Sequence, residues 1–590
     1  MKRFAIGFVI GILFAVLVAV ILGVAAMRMG GERKVAVADG STLVLHLEGE
    51  LPERAPVEVP LPFIEQQQSM TMLDVWQLLR QAAADSRIKA IVLEPRAIDA
   101  GWAKLEELHD DIVQFRKSGK PVYAFLRGAT AREYYVASAA DRVYMTPEDE
   151  LDVKGLAAQL MYLKGTLDKL GVQMEFEHAG KYKDAPDQFT RTSPTPETLE
   201  VINGILDQYY GNLCETIAQG RNKSPDQIRA AIDNGPFVGQ TALDNGLIDG
   251  LKFEDEVYGE LKQRLHADIK RIGEQDYARS AAPDGGTKIA FVVGDGDITR
   301  GNPHDDGNDS GITAASMVKL LHQAADDSSI KGVILRIDSP GGDGIASDDI
   351  LHAAKELSAR KPLVISMSDL AASGGYFIAM TGDPIIAYPN TETGSIGVFF
   401  GKADLQGLFQ KIGVNVTTLK RGRFADIESA DRPLTDEERA KLAHEIDVFY
   451  RGFVERVAAG RKQPYDKIES LAQGRVWLGT QAKQNGLIDE LGGLDRAVEL
   501  IKQRAKIPAS DKVALVMFPP KRTIWDIVFS RGDDSADVES LLSQRAAALL
   551  GRDATSLLAE RAKSMVGRLP IRALLHGGMM TLMPYSIEVK

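Results

Sequence analysis

Ile330-Lys331-Gly332-Val333-Ile334-Leu335, continued by Arg336-Ile337, is a short run dominated by β-branched and aliphatic residues, the signature of a buried strand. The same pattern stands 242 residues earlier as Ile88-Lys89-Ala90-Ile91-Val92-Leu93. That shift also carries Tyr134 to Tyr376, Asp141 to Asp383, Pro147 to Pro389, Gly155 to Gly397 and Gly180 to Gly422. Farther along, Gly239–Asp249 matches Gly479–Asp489 at a shift of 240. Register kept over such a length means that the chain holds two copies of one domain.

Around the quoted strand, Ser347 to Ser358 has helical spacing, and Leu363–Met367 and Pro384–Tyr388 are further strand-like runs. Strands alternating with helices predict βαβ units and an α/β fold with a mainly parallel sheet in each copy. The first copy is expected over 42–262 and the second over 288–505, with a polar connector, 263–287, running through Ala281-Ala282-Pro283-Asp284-Gly285-Gly286. Residues 506–590 form a C-terminal extension with two weakly amphipathic stretches, a Met-rich end and no assignable chemistry.

At 590 residues the chain exceeds a single core. Its 26% charged and 44% apolar residues are those of an ordinary globular protein. A net charge of -12, with no basic cluster interleaved with aromatics, argues against nucleic acid as a partner. Cys214 is the only cysteine, so no intrachain disulfide can form, and no zinc-type spacing is present. Lys2 and Arg3 precede an uncharged apolar run, Phe4 to Met27, long enough to span a bilayer as one helix. A cleavable signal peptide is the rival, since Val24-Ala25-Ala26 resembles a cleavage site, but its apolar centre is usually shorter. An uncleaved anchor, 1–27, is the expectation, and Arg28, Arg33 and Lys34 beyond it leave the orientation open.

The copies differ at reactive positions. Leu370-Ala371-Ala372-Ser373-Gly374-Gly375-Tyr376 sets a hydroxyl on a turn of small residues, as a nucleophile requires. In the first copy Ser373 becomes Ala131, and Gly374-Gly375 become Arg132-Glu133. Asp338-Ser339-Pro340-Gly341-Gly342, whose glycines can aim N–H groups at a ligand oxygen, maps to a glycine-free stretch beginning Arg96-Ala97-Ile98. A serine needs a proton acceptor. His322 and His352 lie in amphipathic helical patterns and read as surface or satisfied histidines. A buried neutral lysine can serve instead. Lys183, in Gly180-Lys181-Tyr182-Lys183-Asp184-Ala185, maps forward to Ala425. One copy keeps the serine and the other the lysine, which points to a composite site.

Ser339-Pro340-Gly341-Gly342, Ala371–Tyr376, Thr393-Gly394-Ser395-Ile396-Gly397 and Gly180–Lys183 together resemble the signal peptide peptidase A (protease IV) family in its long, duplicated bacterial form. The resemblance spans both copies and the apolar N-terminus. It implies tandem Clp-protease/crotonase-like domains of repeated ββα units. It also implies a Ser/Lys dyad, with Ser373 as nucleophile, Lys183 as general base and Ser395 (Val153 in the first copy) holding the lysine. Oxyanion donors would be the N–H of Gly374 and that of Gly341 or Gly342. No metal or organic cofactor is implied. The resemblance further implies a homotetramer in the bacterial inner membrane, with its catalytic domains facing the periplasm. Its substrates would be signal-peptide remnants and other short apolar peptides. Asp184 departs from the Lys-Ser-Ala common in the family, and a carboxylate there would oppose a neutral lysine. A crotonase-type acyl-CoA enzyme and a non-catalytic membrane scaffold are the alternatives.

Overall fold

The computed structural model describes residues 36–54, 70–280, 285–301, 311–518 and 578–583. The expected anchor, 1–27, and the amphipathic stretches beyond 518 lie outside these residues. Among the described residues no helix is long and apolar enough to cross a membrane.

The first repeat is built on β1 (Ser41–Glu50), β2 (Ile88–Asp99), β3 (Val122–Leu126), β4 (Arg142–Met145), β6 (Gly250–Leu251) and β7 (Lys270–Gly273). These form a parallel sheet in the order β7-β1-β2-β3-β4-β6. The second repeat reproduces that order with β16 (Val513–Phe518), β8 (Thr287–Asp295), β9 (Ile330–Ser339), β11 (Leu363–Ala372), β12 (Ile385–Ala387) and β15 (Glu490–Leu491), again parallel throughout. The outer strands β7 and β16 fall within the expected connector and C-terminal extension, so each sheet runs past the repeat spans expected from sequence. Equivalent tyrosines seal equivalent turns. The Tyr134 hydroxyl donates to the Leu247 carbonyl, and the Tyr376 hydroxyl to that of Leu487.

Within β9 the stretch Val333–Leu335 is apolar throughout because both its faces are covered. Val333, Leu335 and Ile337 face the helix Gly344–Arg360 side, and Ile334 packs with Leu494 and Ile501 of the opposite layer. Arg336 shares the Ile334 face and is completely buried, where its guanidinium meets Glu53 at 2.8 Å and Glu107 at 2.6 Å, both from the first repeat. Beside them Lys104 pairs with Asp338 at 2.7 Å, and Asp369 accepts the N–H groups of Gly101 and Lys104. Charges so far from water hold only as a complete set; removing one partner from such a pair costs about 3–5 kcal/mol. The two repeats are thereby locked in one relative placement.

A further sheet crosses between the repeats. Its order is Gly311–Thr313, Asp297–Thr299, β10 (Gly341–Asp343), β17 (Gly578–Leu582), β14 (Val398–Asp404) and β5 (Gln173–Ala179). β5 belongs to the first repeat yet lies antiparallel on β14 of the second, from Ala179 opposite Val398 to Gln173 opposite Asp404. Since Gly180–Lys183 follow β5 directly, this pairing delivers the lysine to the second repeat.

Candidate active site

Ser373 stands between the end of β11 and a short helix, Gly374–Ile378, with φ 53° and ψ -112°. A non-glycine residue in this region is strained, a condition that surrounding bonds must enforce. The Ser373 N–H donates to the Gly394 carbonyl at 2.8 Å and the Ser373 carbonyl accepts from Phe377 N–H at 2.8 Å. Ser395 is also left-handed, at φ 49°, with its N–H on the Arg475 carbonyl at 2.8 Å. Gly394 thus ties the two serines to one another.

Lys183 arrives from the other side. At Gly180, φ is +106° and a β-carbon would lie 2.4 Å from the Gln473 carbonyl carbon, so only glycine lets the chain pass there. The Tyr182 N–H then donates to the Gln473 carbonyl at 2.8 Å. Lys183 ends fully buried, with Nζ 2.8 Å from Ser373 Oγ and donating to Ser395 Oγ at 3.0 Å and to the Ser395 carbonyl at 3.1 Å. Burial holds the amine well below the usual lysine range, against a smaller upward pull from Asp184. Asp184 itself is pushed up to about 7, chiefly by burial, and its carboxylate accepts from the Thr198 hydroxyl. The departure at 184 therefore opposes a neutral lysine only weakly.

Gly341 and Gly342 have φ of +100° and +152°. A β-carbon at 341 would stand 2.5 Å from the Gly374 nitrogen, so the structure brings these two backbones together beside Ser373. The Gly341 N–H already donates to Ser339 Oγ at 3.1 Å. In the first repeat a carboxylate fills the corresponding place: Glu133 accepts from the N–H of Ile98 at 2.6 Å and from Thr130. His322 and His352 lie on the surface, where both approach Glu356. Among the described residues no group of three His, Cys, Asp or Glu side chains is placed to hold a metal ion.

Two contributors carried no sequence signal that marked them. Gly474 packs against Lys183, and a β-carbon there would stand 2.6 Å from the lysine's own Cβ. Thr581, on β17, lies over the glycines: its hydroxyl donates to the Gly342 carbonyl at 3.0 Å, and Met583 N–H donates to the Pro340 carbonyl at 2.8 Å.

Residues 114–269 and 355–508 each match Peptidase family S49. The chain belongs to that family. The first S49 match contains Lys183 and the second contains Ser373 and Ser395, so the family's two regions supply the two sides of this site. Over 517 residues the chain is 33% identical to the chloroplastic serine protease SPPA of Arabidopsis thaliana, covering 86% of this chain and 75% of that one. Protease 4 of Salmonella typhi is 32% identical, covering 82% and 79%, and Protease 4 of Haemophilus influenzae is 31% identical, covering 83% and 84%. Among solved structures, ClpP1 of Listeria monocytogenes aligns with 35% of this chain and 94% of its own at a TM-score of 0.23 and 17% identity, too slight a likeness to carry an argument. Membership of S49 sets aside the acyl-CoA alternative.

Proposed function

We propose that this serine protease works through a Ser373/Lys183 dyad on short apolar peptides, signal-peptide remnants among them. The observation that carries the reading is the 2.8 Å contact between Lys183 Nζ and Ser373 Oγ inside a fully buried pocket. A neutral amine has two N–H donors and one lone pair. Ser395 offers its hydroxyl and carbonyl oxygens for the donors, which leaves the lone pair for the Ser373 proton. No carboxylate stands in ion-pair contact with Lys183 among the described residues, and only the weaker upward pull of Asp184 favours a buried ammonium.

Lys183 takes the hydroxyl proton as Ser373 attacks the peptide carbonyl. The oxyanion is held by the Gly374 N–H and by that of Gly341 or Gly342; each such donor contributes about 3–4 kcal/mol to lowering the barrier. Lys183 returns the proton to the leaving amine and then activates the water that frees Ser373.

The substrate's path is marked by β17, which lies between β10 and β14 and pairs antiparallel with both. An extended peptide in this slot gains main-chain bonds on both sides while alternate side chains enter pockets. Met580 and Leu582 pack with Phe176, Phe189 and Phe399, and that apolar wall supports a preference for apolar residues. The uncharged run Phe4–Met27 supports attachment to a bacterial inner membrane, with the catalytic repeats on the periplasmic side. Hydrolysis of a fluorogenic apolar peptide tests the dyad: Ser373→Ala and Lys183→Met should each lower kcat by about 10³-fold or more. A variant that cleaves like the parent would refute the assignment.

A further inference from the structure

The stretch 473–477 touches both repeats at the site. The Gln473 carbonyl accepts from the N–H of Tyr182, the residue before the lysine, and Gly474 is seated on the Lys183 backbone. On its other side the Gly474 N–H donates to the Ile396 carbonyl at 2.8 Å, and the Arg475 carbonyl accepts from the Ser395 N–H at 2.8 Å. Trp477 lies against Gly394, where a β-carbon would stand 2.9 Å from the indole Cδ1, and the Gly394 carbonyl is the one that holds the Ser373 N–H. Two side chains of the stretch reach back to the lysine's segment. Gln473 Oε1 accepts from the Lys181 N–H at a long 3.4 Å. Arg475 takes the firmer grip.

Its guanidinium carbon stands 4.4 Å from the centre of the Trp477 ring and 4.9 Å from that of Tyr182, so one cation lies against an aromatic ring from each repeat. Nη1 also donates to the Tyr182 hydroxyl at 3.0 Å and to Glu200 Oε1 at 2.5 Å, and the Tyr182 hydroxyl donates to Glu200 Oε2 at 3.1 Å. Arginine, tyrosine and glutamate thus close a ring of three. An ion pair to the half-exposed Glu200 contributes little by itself. The repeat gives the second observation. The shift of 240 carries Arg475 back to Gly235 and Glu200 forward to Ala440, and that of 242 carries Tyr182 forward to Phe424. All three polar groups are missing from the counterpart positions, just as Lys183, Ser373 and Ser395 become Ala425, Ala131 and Val153.

We infer that Arg475 is a positioning residue for peptide hydrolysis, clamping Tyr182 so that the adjoining Lys183 is seated on the loop that carries Ser395. The inference rests on the dyad reading above. Arg475 donates no hydrogen bond to Lys183 or Ser373; it acts through the Tyr182 side chain on one repeat and, by its carbonyl, through Ser395 on the other. Without the guanidinium, the lysine's segment hangs on backbone bonds to a stretch whose own Gln473 is left-handed, at φ 56°. Nζ then spends less time within reach of the Ser373 proton. A displacement of that kind slows the chemical step and leaves peptide binding alone.

Hydrolysis of a fluorogenic apolar peptide by the full chain tests it. Arg475→Met, which keeps an apolar stem against Trp477, should lower kcat about tenfold with KM within about twofold of the parent. Tyr182→Phe removes one oxygen, keeps the ring, and carries the test if Arg475→Met does not fold. It should lower kcat about threefold, again with KM unchanged. Since both act through one contact, Tyr182→Phe added to Arg475→Met should cost nothing further. A parental kcat in Arg475→Met, a loss that appears in KM instead, or losses that add in the double variant overturn the inference. Ser373→Ala and Lys183→Met, assayed alongside, keep the two readings apart. If they are inactive while Arg475→Met matches the parent, the dyad stands and the clamp falls. If Ser373→Ala cleaves like the parent, the dyad falls and the clamp with it.

Discussion

Gly474 is seated on the backbone of Lys183, so close that a β-carbon at 474 would stand 2.6 Å from the lysine's nitrogen and from its Cβ. Both contacts involve atoms that cannot swing aside. Gly474→Ala should therefore push the amine off Ser373 and lower kcat at least tenfold. Gly382→Ala is the matched control. Its φ of +91° is equally unfavourable to alanine, but nothing lies within 4 Å of the added carbon. It should cost about 1 kcal/mol of stability and leave peptide hydrolysis unchanged.

Burial holds the Lys183 amine below its ordinary range, and this sets two signs. Activity should fall as pH drops through the depressed value, because the protonated amine has no lone pair. In stability, the unfolded chain keeps the proton up to about 10.5 while the fold releases it earlier, so the unfolded state binds more protons in between and stability rises with pH there. Lys183→Met should accordingly raise the thermal midpoint at pH 7, and the gain should shrink toward pH 10. A gain that is flat over this range would mean that the lysine is charged in the fold.

Asp184 carries the opposite sign. Burial raises it to about 7 from an ordinary 3.8, so its contribution to stability is complete below 3.8 and is lost as pH rises through about 7. Above that point a carboxylate beside Lys183 pulls the lysine upward. Asp184→Asn should move the acid limb of kcat to lower pH and flatten the decline in stability between about pH 4 and 7. An unchanged kcat profile would show that the lysine does not feel this charge.

The reciprocal loss of Ser373 and Lys183 was legible because both residues sit in short motifs and the repeat supplies an internal reference for each. The same reference exposed Val153 opposite Ser395. What could not be read was the delivery of the lysine. Gln173–Ala179 looks like any half-buried strand, and its pairing with Val398–Asp404 is a contact across more than two hundred residues that no local pattern encodes. Gly474 belongs to the same class, since only the arrival of the Lys183 backbone gives that glycine a purpose. A mainly parallel sheet was implied by strand–helix alternation, but its strand order and the outer strands β7 and β16 were not. Four to six residues at a sheet edge carry too little pattern to stand out from a connector.

Arg336 tests how the repeats are held. Its guanidinium is the shared partner of Glu53 and Glu107, and all three are buried. Arg336→Ala leaves two carboxylates facing each other away from water and should cost about 3–5 kcal/mol. Loss of activity should track loss of fold in thermal and chemical denaturation. Adding Glu53→Gln and Glu107→Gln should recover much of the stability by removing the stranded charges. A lone Arg336→Ala that unfolds like the parent would show that apolar packing alone holds the repeats together.

The strand Gly578–Leu582 occupies the slot proposed above for substrate, and on that proposal the chain is its own competitor. Thr581 lies opposite Gly342, and Met580 is opposite both Asp343 and Phe399, so the tail uses main-chain positions on both walls. A peptide taking that slot would have to displace those bonds. Ending the chain before 578 should therefore lower KM several-fold for a fluorogenic apolar peptide while leaving kcat unchanged, because no residue of β17 takes part in the chemistry. Met580→Asp should act in the same direction by burying a charge among Phe189 and Phe399 and loosening the tail. If truncation lowers kcat and the thermal midpoint together, β17 is instead part of the wall that shapes the site. A synthetic peptide of residues 576–590 separates the two outcomes: added to the truncated enzyme it inhibits competitively when the tail is a competitor, and restores activity when it is a wall.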